Sequence, residues 1–197
     1  VHVASRVQLS DIVVDLPEVA LKLADAFWPG PLTLILRRGA SIPDAVTADG
    51  ETVAVRFPSH PVAQALIQAA GVPIAAPSAN RFGRISPTQA HHVMEDLSGR
   101  IDMVLDGGPT PVGVESTVLA LWSNTPTILR PGGVSREALA AILGAVSVAE
   151  GTAAEETDAE DQGLISPGTT VKHFAPEART YLYQGERSAV LQAMRQA

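Results

Sequence analysis

The chain has 197 residues, of which 46% are hydrophobic and 18% charged, with a formal net charge of −7 and no cysteine. That length and composition suit a globular domain with chain to spare, and the apolar runs are too short and interrupted for a membrane-spanning helix. Missing cysteines exclude a disulfide framework, a thiolate nucleophile and a cysteine metal site, and a cytoplasmic location is expected. Charge is uneven. No Lys or Arg occurs from Glu137 to Val171; beyond Glu137 itself, Glu150, Glu155, Glu156, Asp158, Glu160 and Asp161 supply six of the 21 acids, leaving 15 acids against 14 bases in the rest of the sequence. A broad basic face for nucleic acid is therefore not expected.

Taken in chain order, "VHVAS" (1–5) reads as the end of a strand, and the sequence is expected to be part of a longer one. Asp15 and Glu18 flank Pro17 in capping-box order before Val19, Ala20, Leu23 and Phe27, which predicts a helix. "LTLIL" (32–36) and "TVAVRF" (52–57) predict strands. His60-Pro61 opens a second helix, with Val62, Ala65, Leu66 and Ala69 inward and Gly71 as its stop. "VPIAA" (72–76) predicts a strand, and Ser86 a third helix with Ala90, Val93, Met94 and Leu97 inward. "DMVLD" (102–106), "ESTVLAL" (115–121) and "TPTILR" (125–130) predict strands, followed by a fourth helix from Ser135 to Gly144. Some strands are joined by turns too short for a crossover helix, so the expected class is α/β or α+β with a mixed sheet. From about Ala145 to Gly163 the composition becomes that of a solvated linker, and the tail reads as a strand and then a helix.

Several polar groups interrupt this pattern. "APSANRFGRISPT" (76–88) places Ser78, Asn80, Arg81, Arg84 and Ser86 after an apolar strand. Donors there, with free amides at a helix start, suit a phosphate; the alternative is that Ser and Asn only shape a turn and Ser86 only caps. "GGPTPVGVESTV" (107–118) carries three glycines beside Ser116-Thr117, either for close approach to a ligand or as a plain loop. Arg56, inside an apolar strand, needs an anion: a substrate carboxylate or an internal Asp or Glu. Arg130 ends its strand similarly, ahead of Gly132-Gly133. His91 and His92, about 100° apart on a helix, cannot share a metal ion and read as a solvated edge. His173, in "SPGTTVKHFAP" (166–176), lies where a segment could fold back over a site. There is no Ser-His-Asp order, no pair of catalytic acids and no G-x-x-x-x-G-K loop, so positioning and electrostatics are expected to carry any chemistry.

"FWPGPLTLIL", "TVAVRFPSHP", "PIAAPSANRFGRISPT", "LDGGPTPVGVESTV" and "ILRPGG" together resemble the Sua5/YrdC/YciO family in order and spacing. The resemblance implies a YrdC-like twisted mixed sheet flanked by helices over residues 1–145. It also implies a linker over 146–178 and the start of a second, Sua5-type domain over 179–197. The implied activity is that of an L-threonylcarbamoyl-adenylate synthase, a nucleotidyltransferase joining L-threonine, bicarbonate and ATP into threonylcarbamoyl-AMP and pyrophosphate for t6A37 modification of tRNA. ATP is then a substrate, accompanied by magnesium, with no tightly bound cofactor. The resemblance assigns Thr52, Ser78, Asn80, Ser86, Arg130 and His173 to ATP, and Arg56, Ala76 and Ser116 to threonine. Implied partners are the t6A transferase machinery, with direct tRNA binding open and no membrane. The family's N-terminal Lys-x-Arg portion and most of the C-terminal domain do not occur in this sequence, so weak binding without turnover is the expectation for it. "TTVKHF" also replaces a family "MKYRHY" pattern, leaving linker closure open. Two other classes stand beside this one. They are a non-catalytic RNA-binding or ribosome-associated module, and a carbamoyl-adenylate-forming domain like that of hydrogenase maturation.

Overall fold

The computed structural model describes residues 1–122, 125–149 and 183–195. Its elements in chain order are α1 (Arg6–Ile12), α2 (Glu18–Phe27), β1 (Leu32–Arg37), α3 (Asp44–Thr47), β2 (Thr52–Val55) and α4 (Pro61–Ala70). They are followed by α5 (Ala90–Leu97), β3 (Thr117–Ala120), β4 (Thr127–Arg130), α6 (Arg136–Leu143), β5 (Ser147–Val148) and α7 (Arg187–Met194). Among the described residues the strands form one twisted sheet in the order β2-β1-β3-β4-β5. Pairing is antiparallel for β1/β2 and β3/β4, and parallel for β1/β3 and β4/β5, so the sheet is mixed as expected.

Strand alternation divides the molecule into two working surfaces. Leu32, Leu34, Leu36, Val53, Val55, Leu119 and Ile128 point to one face, where they pack with Leu9, Ile12, Ala20, Leu23 and Leu139 from α1, α2 and α6. That face is the core. The register puts Thr33, Ile35, Val118, Ala120 and Arg130 on the other face, with Thr52, Ala54 and Arg56 following along β2. The second face mixes buried Ile35, Val118 and Ala120 with Thr33, Arg56 and Arg130, and it carries the site's two arginines.

The capping chemistry is read correctly for two helices. The His60 side chain accepts from the Val62 amide at the start of α4, and Gly71 ends it in the left-handed region at φ 69°. Ser135 caps α6 by accepting from the Ala138 amide. Elsewhere tertiary context overrides local signals. Asp15 does not cap α2: Pro17 stands at that position, while Asp15 turns to φ 50° and pairs with Arg37. Ser5 caps a helix, α1, that the periodicity did not announce. α4 turns Ile67 inward and leaves Val62 and Leu66 exposed, so its buried side is not the face expected from the sequence. On α5 no side chain is fully buried, and Met94 faces outward. "VPIAA" makes only a bridge from Ile74 to His2, and "DMVLD" forms no strand, since neither segment has a full partner strand among the described residues. The sheet also takes in Ser147–Val148, just beyond the boundary expected at 145. Glu150 to Leu182 lie outside the described residues, and with them most of the expected linker and its His173.

Candidate functional site

Polar groups from four separated segments meet at one end of the β1/β3 pair. Arg56, just past β2, donates from Nε to the Gly30 carbonyl at 2.9 Å. The adjoining carbonyl, Pro31, accepts from the Thr117 amide at 2.9 Å. One dipeptide of "FWPGPLT" thus holds both the guanidinium and the start of β3. The Trp28 indole fixes this turn by donating to the Leu32 carbonyl at 2.7 Å.

Ser116 is buried at 5% exposure, with its hydroxyl 2.7 Å from that of Thr33. Arg130 Nη2 donates to the Ser116 carbonyl at 3.0 Å and to its hydroxyl at 3.1 Å, and Arg130 Nε to the same carbonyl at 3.2 Å. Glu115 joins the group: its Oε1 accepts from the Ser86 hydroxyl, and its Oε2 lies 3.9 Å from Arg130 Nη2. Burial lowers the pKa of both guanidiniums, opposed for each by the Glu115 charge, while Arg130 lowers that of Arg56 further. Both stay cationic. Two partly buried like charges therefore lie in the field of one carboxylate. Neither terminal nitrogen of Arg56 has a hydrogen-bond partner among the described residues.

The glycines of "RPGG" fix this arrangement by close approach. A Cβ on Gly132 would lie 2.3 Å from the Glu115 carbonyl and 2.5 Å from the Thr117 nitrogen, so only glycine fits over that peptide. The next amide, Gly133, donates to the Glu115 carbonyl at 3.0 Å. Beneath it the Thr117 hydroxyl donates to the Val134 carbonyl at 2.6 Å and accepts from the Val134 amide at 2.9 Å.

Of the residues singled out in the sequence, the structure brings Arg56, Ser86, Ser116 and Arg130 together. Thr52 shares the face of Arg56 but lies four residues, roughly 13 Å, further along β2. For Ala76 the structure places only the nearby Ile74: Ile74 pairs with His2, and His2 with Arg56, so Ile74 is two strand spacings, about 10 Å, from Arg56. Ser78 is half-buried on the loop that leads to Ser86. Asn80 donates from Nδ2 to the Arg81 and Arg84 carbonyls at 2.9 and 3.0 Å, and its Oδ1 is buried without a hydrogen-bond partner. Its free group is thus an acceptor, suited to a ligand hydroxyl or amine and not to a phosphate oxygen.

Two readings of the 76–88 loop are corrected. Ser86 does not open the helix: α5 begins at Ala90, and His92 Nδ1 takes the Thr88 amide at 3.3 Å, so no row of free amides adjoins Ser86. Arg81 and Arg84 both turn to Asp96 on α5, at 2.9 and 3.1 Å. The sequence reading missed Glu115, Thr33 and the Gly30 carbonyl. Glu115 was within reach of the argument applied to Arg56, since it too is a charge entering an apolar strand.

Among the described residues no helix is long and apolar enough to cross a membrane, and no group of three or more His, Asp or Glu side chains could hold a metal ion. Residues 1–132 match the family model Sua5_yciO_yrdC, described as "Telomere recombination". The chain is 47% identical over 186 residues to a threonylcarbamoyl-AMP synthase of Bacillus subtilis, covering 94% of this chain and 52% of that protein. A second threonylcarbamoyl-AMP synthase, of Pyrococcus abyssi, is 42% identical over 190 residues, covering 96% of this chain and 55% of the relative. The crystal structure of P. abyssi Sua5 complexed with L-threonine superposes with a TM-score of 0.91 at 41% identity, covering 99% of this chain and 56% of that one. The chain thus spans about half the length of these relatives. A family match over two-thirds of the residues, on the same twisted mixed sheet, makes the chain a member of the Sua5/YciO/YrdC family.

Proposed function

We propose that the protein forms threonylcarbamoyl-AMP and pyrophosphate from L-threonine, bicarbonate and ATP, and so supplies the activated group for t6A37 modification of tRNA. The observation that carries this reading is the Arg56 fork: half-buried, anchored at Nε, with both terminal nitrogens free to clasp a carboxylate. It supports threonine as the ligand held there, in line with the threonine complex of the P. abyssi relative.

Transfer of AMP spreads negative charge over the α-phosphate and the leaving pyrophosphate, and needs fixed cations and donors more than a nucleophile. Arg130 supplies such a cation, oriented by its bonds to Ser116. Ser78, Ser86 and Thr52 are the hydroxyls along which a triphosphate and nucleoside would lie, and Asn80 Oδ1 would accept from a sugar hydroxyl. Ser116 and the exposed Ala76 backbone flank the amino acid. His173 is assigned to ATP from the sequence alone. Magnesium in this reading arrives on the triphosphate. The near-neutral charge outside the acidic segment weighs against the RNA-binding alternative, which requires RNA affinity that falls steeply with salt.

Isothermal titration with ATP and L-threonine, on the protein and on Arg56→Ala, tests the assignment. Losing a charge-assisted carboxylate contact should weaken threonine binding by about tenfold or more and leave ATP affinity nearly intact. Undiminished threonine binding in the variant would refute it.

A further inference from the structure

We infer that Glu115 receives the α-ammonium group of the amino acid whose carboxylate sits on Arg56, so that the two side chains form a receptor for a zwitterion. The inference rests on the reading of Arg56 given above and deepens it.

Placement comes first. The Gly30 carbonyl holds Arg56 and the neighbouring Pro31 carbonyl holds Thr117, two residues after Glu115. Strand β1 is thus flanked by the arginine on one side and the glutamate on the other. The backbone that carries the carboxylate is fixed by the Gly133 amide on the Glu115 carbonyl and by Gly132 against the same peptide.

Unused bonding capacity comes next. Oε1 is committed to Ser86, but Oε2 lies 3.9 Å from Arg130 Nη2, beyond hydrogen-bond length. Arg130 cannot close that gap without giving up its bonds to the Ser116 carbonyl and hydroxyl. Oε2 therefore keeps acceptor sites for an N–H donor. Arg56 and Glu115 sense each other's charge, yet no ion pair within 4.0 Å joins them. Arg56, and a Glu115 carboxylate that meets Arg130 only at 3.9 Å, match a ligand that carries the opposite charges on one carbon. A partly buried ammonium without such a partner would bind poorly.

The test uses titration calorimetry with L-threonine and with (R)-3-hydroxybutyrate, which has the same carboxylate and hydroxyl but no amine. Wild type, Glu115→Gln and Arg56→Ala are compared. Gln keeps an acceptor for Ser86 and removes the charge. The expected result is a preference of wild type for threonine of about tenfold or more, falling to nearly none in Glu115→Gln through lost threonine affinity, with 3-hydroxybutyrate held as before or tighter. Glu115→Asp, which restores the charge, should recover part of the preference and serves as the second variant should Gln disturb folding. A wild-type preference in Glu115→Gln, or equal loss of both ligands, overturns the role of Glu115. The reading of Arg56 then still stands if Arg56→Ala loses both ligands alike. Should Arg56→Ala keep wild-type affinity for threonine, that underlying reading fails instead.

Discussion

Replacing Thr117 by Val tests how the site is held together. Thr117 is fully buried, and its hydroxyl serves both backbone groups of Val134, at 2.6 and 2.9 Å. Val134 is itself 7% exposed, so water does not readily take over when the hydroxyl is lost. Val nearly matches Thr in volume, which leaves the unpaired amide and carbonyl as the main cost. At about 1–3 kcal/mol for each of the two buried groups left unsatisfied, the expected loss is roughly 2–6 kcal/mol. Thr117→Ser keeps the hydroxyl and loses only a methyl, for about 1 kcal/mol. Urea unfolding of the three proteins, with the slope m checked for constancy, measures both changes. Because the Val134 segment follows Gly132-Gly133, the Val variant should also weaken threonine binding while the Ser variant does not. A Val variant no less stable than the Ser variant would refute the reasoning, since volume and not the paired hydroxyl would then set the stability.

Two further outcomes follow from neighbouring contacts. Gly132→Ala forces a Cβ to within 2.3 Å of the Glu115 carbonyl, so backbone must move; thermal unfolding should drop by several degrees and threonine affinity should fall with it. Asp96→Asn should remove the ion pairs to Arg81 and Arg84 and loosen the 76–88 loop, read as faster amide exchange there. The Arg81 backbone amide, and then the Arg81 and Arg84 side chains, hold the Asp96 carboxyl below its ordinary value of 3.8 despite some desolvation. A depressed carboxyl contributes stability above its unfolded value and loses it as pH falls through the lower folded one. Wild type should therefore exceed Asp96→Asn in stability at neutral pH, with the difference shrinking as pH falls below 3.8 and gone only below the lower folded value. A difference that persists unchanged well below pH 3.8 would point to packing rather than charge.

Much of this protein is written in local sequence. Short runs rich in Leu, Ile, Val and Thr marked β1 and β2, while His60-Pro61 with Gly71, and Ser135 with Gly144, marked two helices at both ends. These are decided within one turn or one strand, where capping and alternation act over a few residues. Arg56 and Arg130 stood out for the same reason: a charge in an apolar strand requires a partner wherever the chain goes. What that partner is could be decided only by tertiary structure. Arg81 and Arg84, beside the candidate phosphate loop in sequence, turn to Asp96 on α5, whereas Glu115 reaches Ser86 across 29 residues. Asn80 spends its donors on its own turn and is left an acceptor. Hydrogen-bond capacity belongs to a residue type, but how much remains for a ligand is set by neighbours that folding brings in from distant segments.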